Sequence, residues 1–141
     1  MPHIAVSKEV GAPAWRIWEL LADFADVSWI PVAGQVDIDG DGIGMRRSIH
    51  GTGDQPVVET LTHVDKRRRE LGYTVAGSPL PVDRFEALVT VREGEHPHDS
   101  VLAWHVDFDP QGPQEAAQQA IEAVYTMMAG WLADAATQDR P

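Results

Sequence analysis

The sequence predicts an α+β domain in which about seven strands form one curved antiparallel sheet and a long C-terminal helix covers its apolar face. Three observations carry this. Apolar and polar residues alternate along successive short runs between Val57 and Phe108. Gly, Pro and Asp punctuate the chain between those runs. After Pro113 the pattern switches to helix formers, with apolar residues every three or four positions.

Each element has a local reason. Ile4, Val6 and Val10 alternate with polar neighbours and predict a first strand, which Gly11 breaks. Pro13 suits a first helical turn, where its missing N–H costs nothing. Ala14, Ile17, Trp18, Leu21 and Phe24 then follow at helical spacing, with an end expected near Asp23. Phe24 to Trp29 reads as a second short helix stopped by Pro31. Gly40-Asp41-Gly42, between Val36/Ile38 and Ile43/Met45/Ile49, is a hairpin signal. Gly51-Thr52-Gly53-Asp54 makes the next turn. Val57 to Val64 is a strand, and Asp65 to Arg68 reverses it. Leu71, Tyr73 and Val75 mark the next strand. Phe85, Ala87, Val89 and Val91 mark another, and Leu102, Trp104, Val106 and Phe108 the last. Each presents one apolar face, as an antiparallel sheet with one solvated side requires. From Pro113 to about Ala136, Ala117, Ile121, Val124, Tyr125, Met128, Trp131 and Leu132 form one apolar stripe. A helix of that length is roughly 35 Å long, enough to cross a curved sheet.

Composition narrows the function. The chain has 141 residues, which fits a single domain over 1–141, with a core of about 3–136 and a tail at 137–141. Its 22 acidic against 11 basic side chains give a net charge of −11. That charge repels phosphate backbones and anionic lipid, so no nucleic-acid partner is expected. The one basic run, Lys66-Arg67-Arg68-Arg69, reads as a solvated hairpin end. No stretch approaches the roughly 18 apolar residues of a membrane span, so no stable membrane insertion is expected. Residues 1–6 lack a charged, then apolar, leader pattern, and a cytoplasmic location follows as the expectation. There is no cysteine, which removes disulfides, thiolate metal sites and a Cys nucleophile. His96-Pro97-His98 lies in an acidic turn, and no HExxH spacing occurs. Asp37, Asp39 and Asp41 alternate around a turn but lack the terminal Glu of a calcium loop. No metal and no cofactor are expected, and a homodimer stays open.

Five local patterns appear in order. Ala12-Pro13-x-x-x-Ile17-Trp18-x-Leu20-Leu21-x-Asp23-Phe24 is followed by Trp29. Gly42-Ile43-Gly44-Met45-Arg46-Arg47 comes next, then Val58-Glu59-Thr60-Leu61-Thr62-His63-Val64-Asp65. Leu71-Gly72-Tyr73-Thr74-Val75 and Pro79-Leu80-Pro81-Val82 with Phe85 complete the set. Together they resemble the START-like (SRPBCC) superfamily, and its polyketide cyclase/dehydrase-like branch above all, over about residues 3–135. The resemblance implies the helix-grip fold, a sheet wrapped around the C-terminal helix, with a hollow between them for an apolar small molecule. It does not imply one chemistry, because members include cyclases, carriers and receptors.

Strand phase then nominates site residues. In the glutamate strand apolarity leaves the phase open: Val58 and Val64 share one face, Glu59, Leu61 and His63 the other. The resemblance favours the second set facing inward, with Met45, Arg47 and Ile49 inward beside it. Glu59, His63 and Arg47 are therefore the candidates for polar chemistry. A paired Arg47–Glu59 couple, a polar anchor for a ligand, and acid–base work by Glu59 or His63 are the three readings. Candidate ligand contacts on the loops and sheet are Trp29, Ile49, Tyr73, Val75, Leu80, Phe85, Ala87 and Trp104. On the helix they are Ile121, Val124, Tyr125 and Met128. The expected function is enclosure of an apolar polyketide-, lipid- or aromatic-like molecule, with cyclisation or dehydration as a further activity. The alternatives are a non-catalytic carrier or sensor and a protein-interaction module. In related folds the loop corresponding to Gly77–Pro81 acts as a gate, which puts Leu80 near the entrance.

Overall fold

The computed structural model describes residues 2–31, 33–51, 54–77 and 80–137. The elements are β1 (His3–Val10), α1 (Ala14–Ala22), β2 (Val36–Asp39), β3 (Arg46–Ile49), β4 (Val57–Asp65), β5 (Glu70–Ala76), β6 (Val82–Glu93), β7 (Ser100–Pro110) and α2 (Gln114–Thr137). One antiparallel sheet holds all seven strands in the order β1-β7-β6-β5-β4-β3-β2. Strands β2 to β7 run as a meander, and β1 closes the far edge against β7. With α2 along the inner face, this is the helix-grip arrangement.

Alternation decides which side chains go in. Phe85, Ala87, Val89 and Val91 of β6 are buried, as are Leu102, Trp104, Val106 and Phe108 of β7. Facing pairs in the ladder share a side, so Phe85 meets Phe108 and Val89 meets Trp104. Both prolines act at helix starts as predicted. Arg16 N–H donates to the Pro13 carbonyl at 3.0 Å, and Ala117 N–H to the Pro113 carbonyl at 3.3 Å. Trp15 points outward from α1, while Ile17 and Leu21 pack inward. Asp65 accepts from the N–H groups of Arg67 and Arg68, so the basic run is the β4–β5 turn.

Three details differ from the sequence reading. Phe24 to Trp29 forms turns, not a second helix. The Asp26 carboxylate accepts the Ser28 N–H, a local bond that competes with helix, and Pro31 follows. Ile43 lies exposed in the β2–β3 loop rather than in a strand. On α2 the deepest stripe is Ala117, Ile121, Tyr125, Ala129, Leu132, Ala133 and Ala136; Val124, Met128 and Trp131 flank it, partly buried. The small side chains of Ala129, Ala133 and Ala136 let helix backbone approach its neighbours closely, which rotates the larger ones to the side. The turn residues Thr52 and Gly53, and tail positions 138–141, lie outside the described residues.

Candidate functional site

Arg47 on β3 faces Glu59 on β4 directly in the ladder, so both side chains leave the sheet on its inner side. Arg47 Nε donates to Glu59 Oε1 at 2.7 Å, and Nη2 lies 2.6 Å from the same oxygen. Nη1 donates to the Phe24 carbonyl at 2.8 Å. The guanidinium carbon sits 3.8 Å from the Phe24 ring centre and 5.8 Å from that of Tyr73. Arg47 is 4% exposed and Glu59 6%, so this is a buried pair whose charge is met by a carboxylate, a carbonyl and two ring faces.

His63 does not join it. The β4–β5 register shifts between Leu61 and His63. Leu61 faces Tyr73 on the inner side, but His63 faces Gly72 on the outer side. The extra residue of the bulge reverses the phase, as bulges do. His63 is exposed and pairs with Glu70 at 3.1 Å. The inward placement expected for it is therefore wrong, and acid–base work by His63 in the interior goes with it.

A second polar set spans the middle of the sheet and reaches α2. Trp104 Nε1 donates to Tyr73 Oη at 3.1 Å, and Tyr73 Oη lies 3.1 Å from Tyr125 Oη. Strand β6 separates Tyr73 from Trp104, and the small Ala87 opposite Tyr73 leaves room for the bond across it. The Tyr125 ring stacks on Phe85 at 6.0 Å and tilts against Trp104 at 5.2 Å. Burial first, then the Glu59 charge, raises the Tyr73 phenol far above its ordinary range. Tyr125 is raised too, by burial and then by Tyr73 and Glu59. Both remain protonated donors at neutral pH. The row has three N–H or O–H hydrogens for two contacts, so one phenol hydrogen has no acceptor among the described residues.

Leu21, Trp29, Arg47, Leu71, Tyr73, Trp104 and Met128 enclose a cavity of about 10 Å³. That is room for one water, not for a ligand. Tyr73, Phe85, Ala87, Trp104, Ile121 and Tyr125, expected to wall a wide hollow, are each within 5% of full burial and pack against one another. Among the described residues these side chains belong to one buried cluster. Trp29 and Ile49 are also buried, whereas Val75, Leu80, Val124 and Met128 keep partial exposure at the edge of the core. Val75 faces Glu59 across β4 and β5. Ser78 and Pro79 of the expected gate lie outside the described residues. Gly77, at φ 75°, is fixed by close packing: a Cβ there would stand 2.6 Å from the Pro56 carbonyl oxygen. The sequence reading did not assign Phe24, Leu21 or Leu71 to the site. A buried arginine needs more acceptors than one carboxylate provides, and the carbonyls freed after α1 are where that need points.

The profile of polyketide cyclase / dehydrase and lipid transport proteins matches residues 1–138. The chain belongs to this family. Its members' fold is one that holds hydrophobic ligands. A protein from Bacillus thuringiensis shares 21% identity and a TM-score of 0.87, with 97% of this chain and 100% of that one covered. XoxI from Bacillus cereus shares 22% identity and a TM-score of 0.84, over 96% and 95%. Norcoclaurine synthase from Thalictrum flavum, solved with dopamine and hydroxybenzaldehyde, shares 17% identity and a TM-score of 0.73, over 99% and 89%. No curated protein matches the chain by sequence. Within the polyketide cyclase / dehydrase frame, the features of this chain are a buried ion pair and a phenol row, with no helix among the described residues long and apolar enough to cross a membrane. Among the described residues no group of three His, Asp or Glu stands close enough to hold a metal.

Proposed function

We propose that the protein binds an apolar small molecule bearing a hydrogen-bond acceptor, in the space between the sheet and α2, and carries it without chemical change. The observation behind this is the buried Tyr73–Tyr125 row, which has one phenol hydrogen more than its contacts use and whose Tyr73 lines the small cavity with Trp104. A buried donor without an acceptor costs free energy, and a ligand carbonyl or hydroxyl oxygen would satisfy it. Val75, Leu80, Val124 and Met128 would give apolar contact at the rim. The Arg47–Glu59 pair would hold the β3–β4 end rigid and orient Tyr73 through the ring face.

A carrier fits better than a catalyst. The Glu59 oxygen nearest Arg47 is taken by two N–H groups, His63 is on the other side of the sheet, and both phenols hold their protons tightly. Among the described residues these contacts favour holding a ligand over moving a proton at neutral pH. Norcoclaurine synthase binds aromatic molecules on a similar fold, which supports an aromatic ligand class without assigning its chemistry here.

Native mass spectrometry of freshly purified protein tests the reading. The expected result is a bound species of small mass that Met128→Trp displaces by filling the rim. Protein that carries no such species, and that also fails to bind an environment-sensitive apolar dye, refutes it.

A further inference from the structure

A groove of about 460 Å³ opens on the surface between α1, the 28–31 turn and the last turns of α2, with Arg16, Leu20, Ser28, Trp29, Pro31 and Trp131 among its walls. Trp29 lines this groove and the interior cavity alike. Trp29 is the residue common to both walls. Trp29 sits outside any helix or strand, on a turn held by Ile30 N–H to the Val27 carbonyl at 2.8 Å. Among the described residues its side chain makes no hydrogen bond and no ring stack, so packing alone keeps it in place. Tyr73, Tyr125 and Trp104, by contrast, are tied to one another.

Arg16, in the groove wall, also carries an unmet donor. Arg16 Nε is buried and has no hydrogen-bond partner, while its Nη1 pairs with Glu19 at 2.8 Å. Asp134 stands in the same wall, and the whole chain is strongly acidic. A second anion at Arg16 would meet two carboxylates, so the acceptor that fits is neutral.

We infer that this groove is the outer half of the ligand site: a planar apolar ring displaces the Trp29 indole, and a neutral carbonyl on it accepts the Arg16 Nε–H. The inference rests on the interior binding proposed above and adds a route and a ligand class to it. Displacing a bicyclic side chain that is held only by packing joins groove and cavity into one ligand-sized space.

Two neutral naphthalene dyes separate the parts. 6-Propionyl-2-dimethylaminonaphthalene carries a ketone, and N-phenyl-1-naphthylamine carries no carbonyl. Stopped-flow and equilibrium fluorescence would follow both on the folded full chain, with circular dichroism confirming each variant's fold. Trp29→Ala should speed association of both dyes about tenfold; Trp29→Leu serves the same purpose if the alanine variant is unfolded. Arg16→Met keeps the apolar stem and removes the N–H. It should weaken the ketone dye about fivefold, the worth of one hydrogen bond, and leave the other dye unchanged. If Met128→Trp blocks both dyes but the Trp29 and Arg16 variants change nothing beyond twofold, the groove inference falls and the interior reading stands. If wild type binds neither dye, or Met128→Trp leaves binding intact, the interior reading falls and takes the inference with it.

Discussion

The inner faces of β6 and β7 and the inner corner of β3 and β4 are built on opposite terms. The first is a wall of Val89, Val91, Leu102, Val106 and Phe108, each nearly or fully buried, with Ser100 and the Trp104 indole N–H as its polar groups. The second places a guanidinium and a carboxylate under Phe24 and Tyr73. Hydrophobic burial is nondirectional, so the wall tolerates any well-packed apolar set of similar volume. The corner depends on pairing, and each half is costly without the other. Nondirectional packing dominates the β6–β7 face and directional pairing the β3–β4 corner.

The largest effect should come from splitting the pair. Arg47→Met leaves Glu59 buried and alone and should cost about 3–5 kcal/mol in urea unfolding. Adding Glu59→Leu should restore most of that; a double variant no more stable than the single one would show that the corner is not a coupled pair. In the wall, Leu102→Ala should cost about 3 kcal/mol, with no second-site substitution of charge able to recover it. Measuring both by the same denaturant titration tests whether the two ends differ in kind.

The phenol row lies between them and should give a smaller response. Tyr125→Phe should cost about 1 kcal/mol near neutral pH, the net worth of one hydrogen bond. The row also makes stability depend on alkali. Both phenols are raised in the folded state above the unfolded value of 10.0. Below that pH both states hold the protons and the stability is fully present. Above it the unfolded chain ionises first, so stability falls as pH rises toward the folded values. Thermal unfolding from pH 8 to 11 should show this fall, shallower in Tyr125→Phe. The smallest effect belongs to His63→Ala, an exposed side chain, at under about 0.5 kcal/mol by the same thermal measurement. A larger loss, or a loss of dye binding, would put His63 back in the interior.

How much of this was legible follows the strictness of the local pattern. Leu71 to Val75, Phe85 to Val91 and Leu102 to Phe108 alternate without interruption, and their inner faces came out as read. Arg47 and Glu59 were legible as partners once the resemblance had turned both positions inward, since two neighbouring buried charges have to meet. The same reasoning failed four residues later. Leu61-Thr62-His63 contains no glycine or proline to announce a bulge, and only the pairing with β5 reveals that Thr62 is the extra residue. Phe24 to Trp29 has helical spacing, yet Asp26 and Pro31 favour turns, and local side-chain bonding won. On α2 an apolar count weights Val124, Met128 and Trp131 above alanine, but close approach favours Ala129 and Ala133. The row that joins Trp104, Tyr73 and Tyr125 was not legible as a row, since no residue type marks which neighbouring aromatics touch.

One consequence of the phenol row concerns how the protein can be watched. The chain has two tyrosines, and both are in that row. Every tyrosine signal of the native molecule, in ultraviolet absorbance or in ring resonances from isotope-labelled protein, therefore originates at one buried spot. A molecule that accepted the uncommitted hydrogen would alter half or all of that signal. A molecule held only on the outside would leave it untouched. The protein carries its own reporter, already placed where the question is.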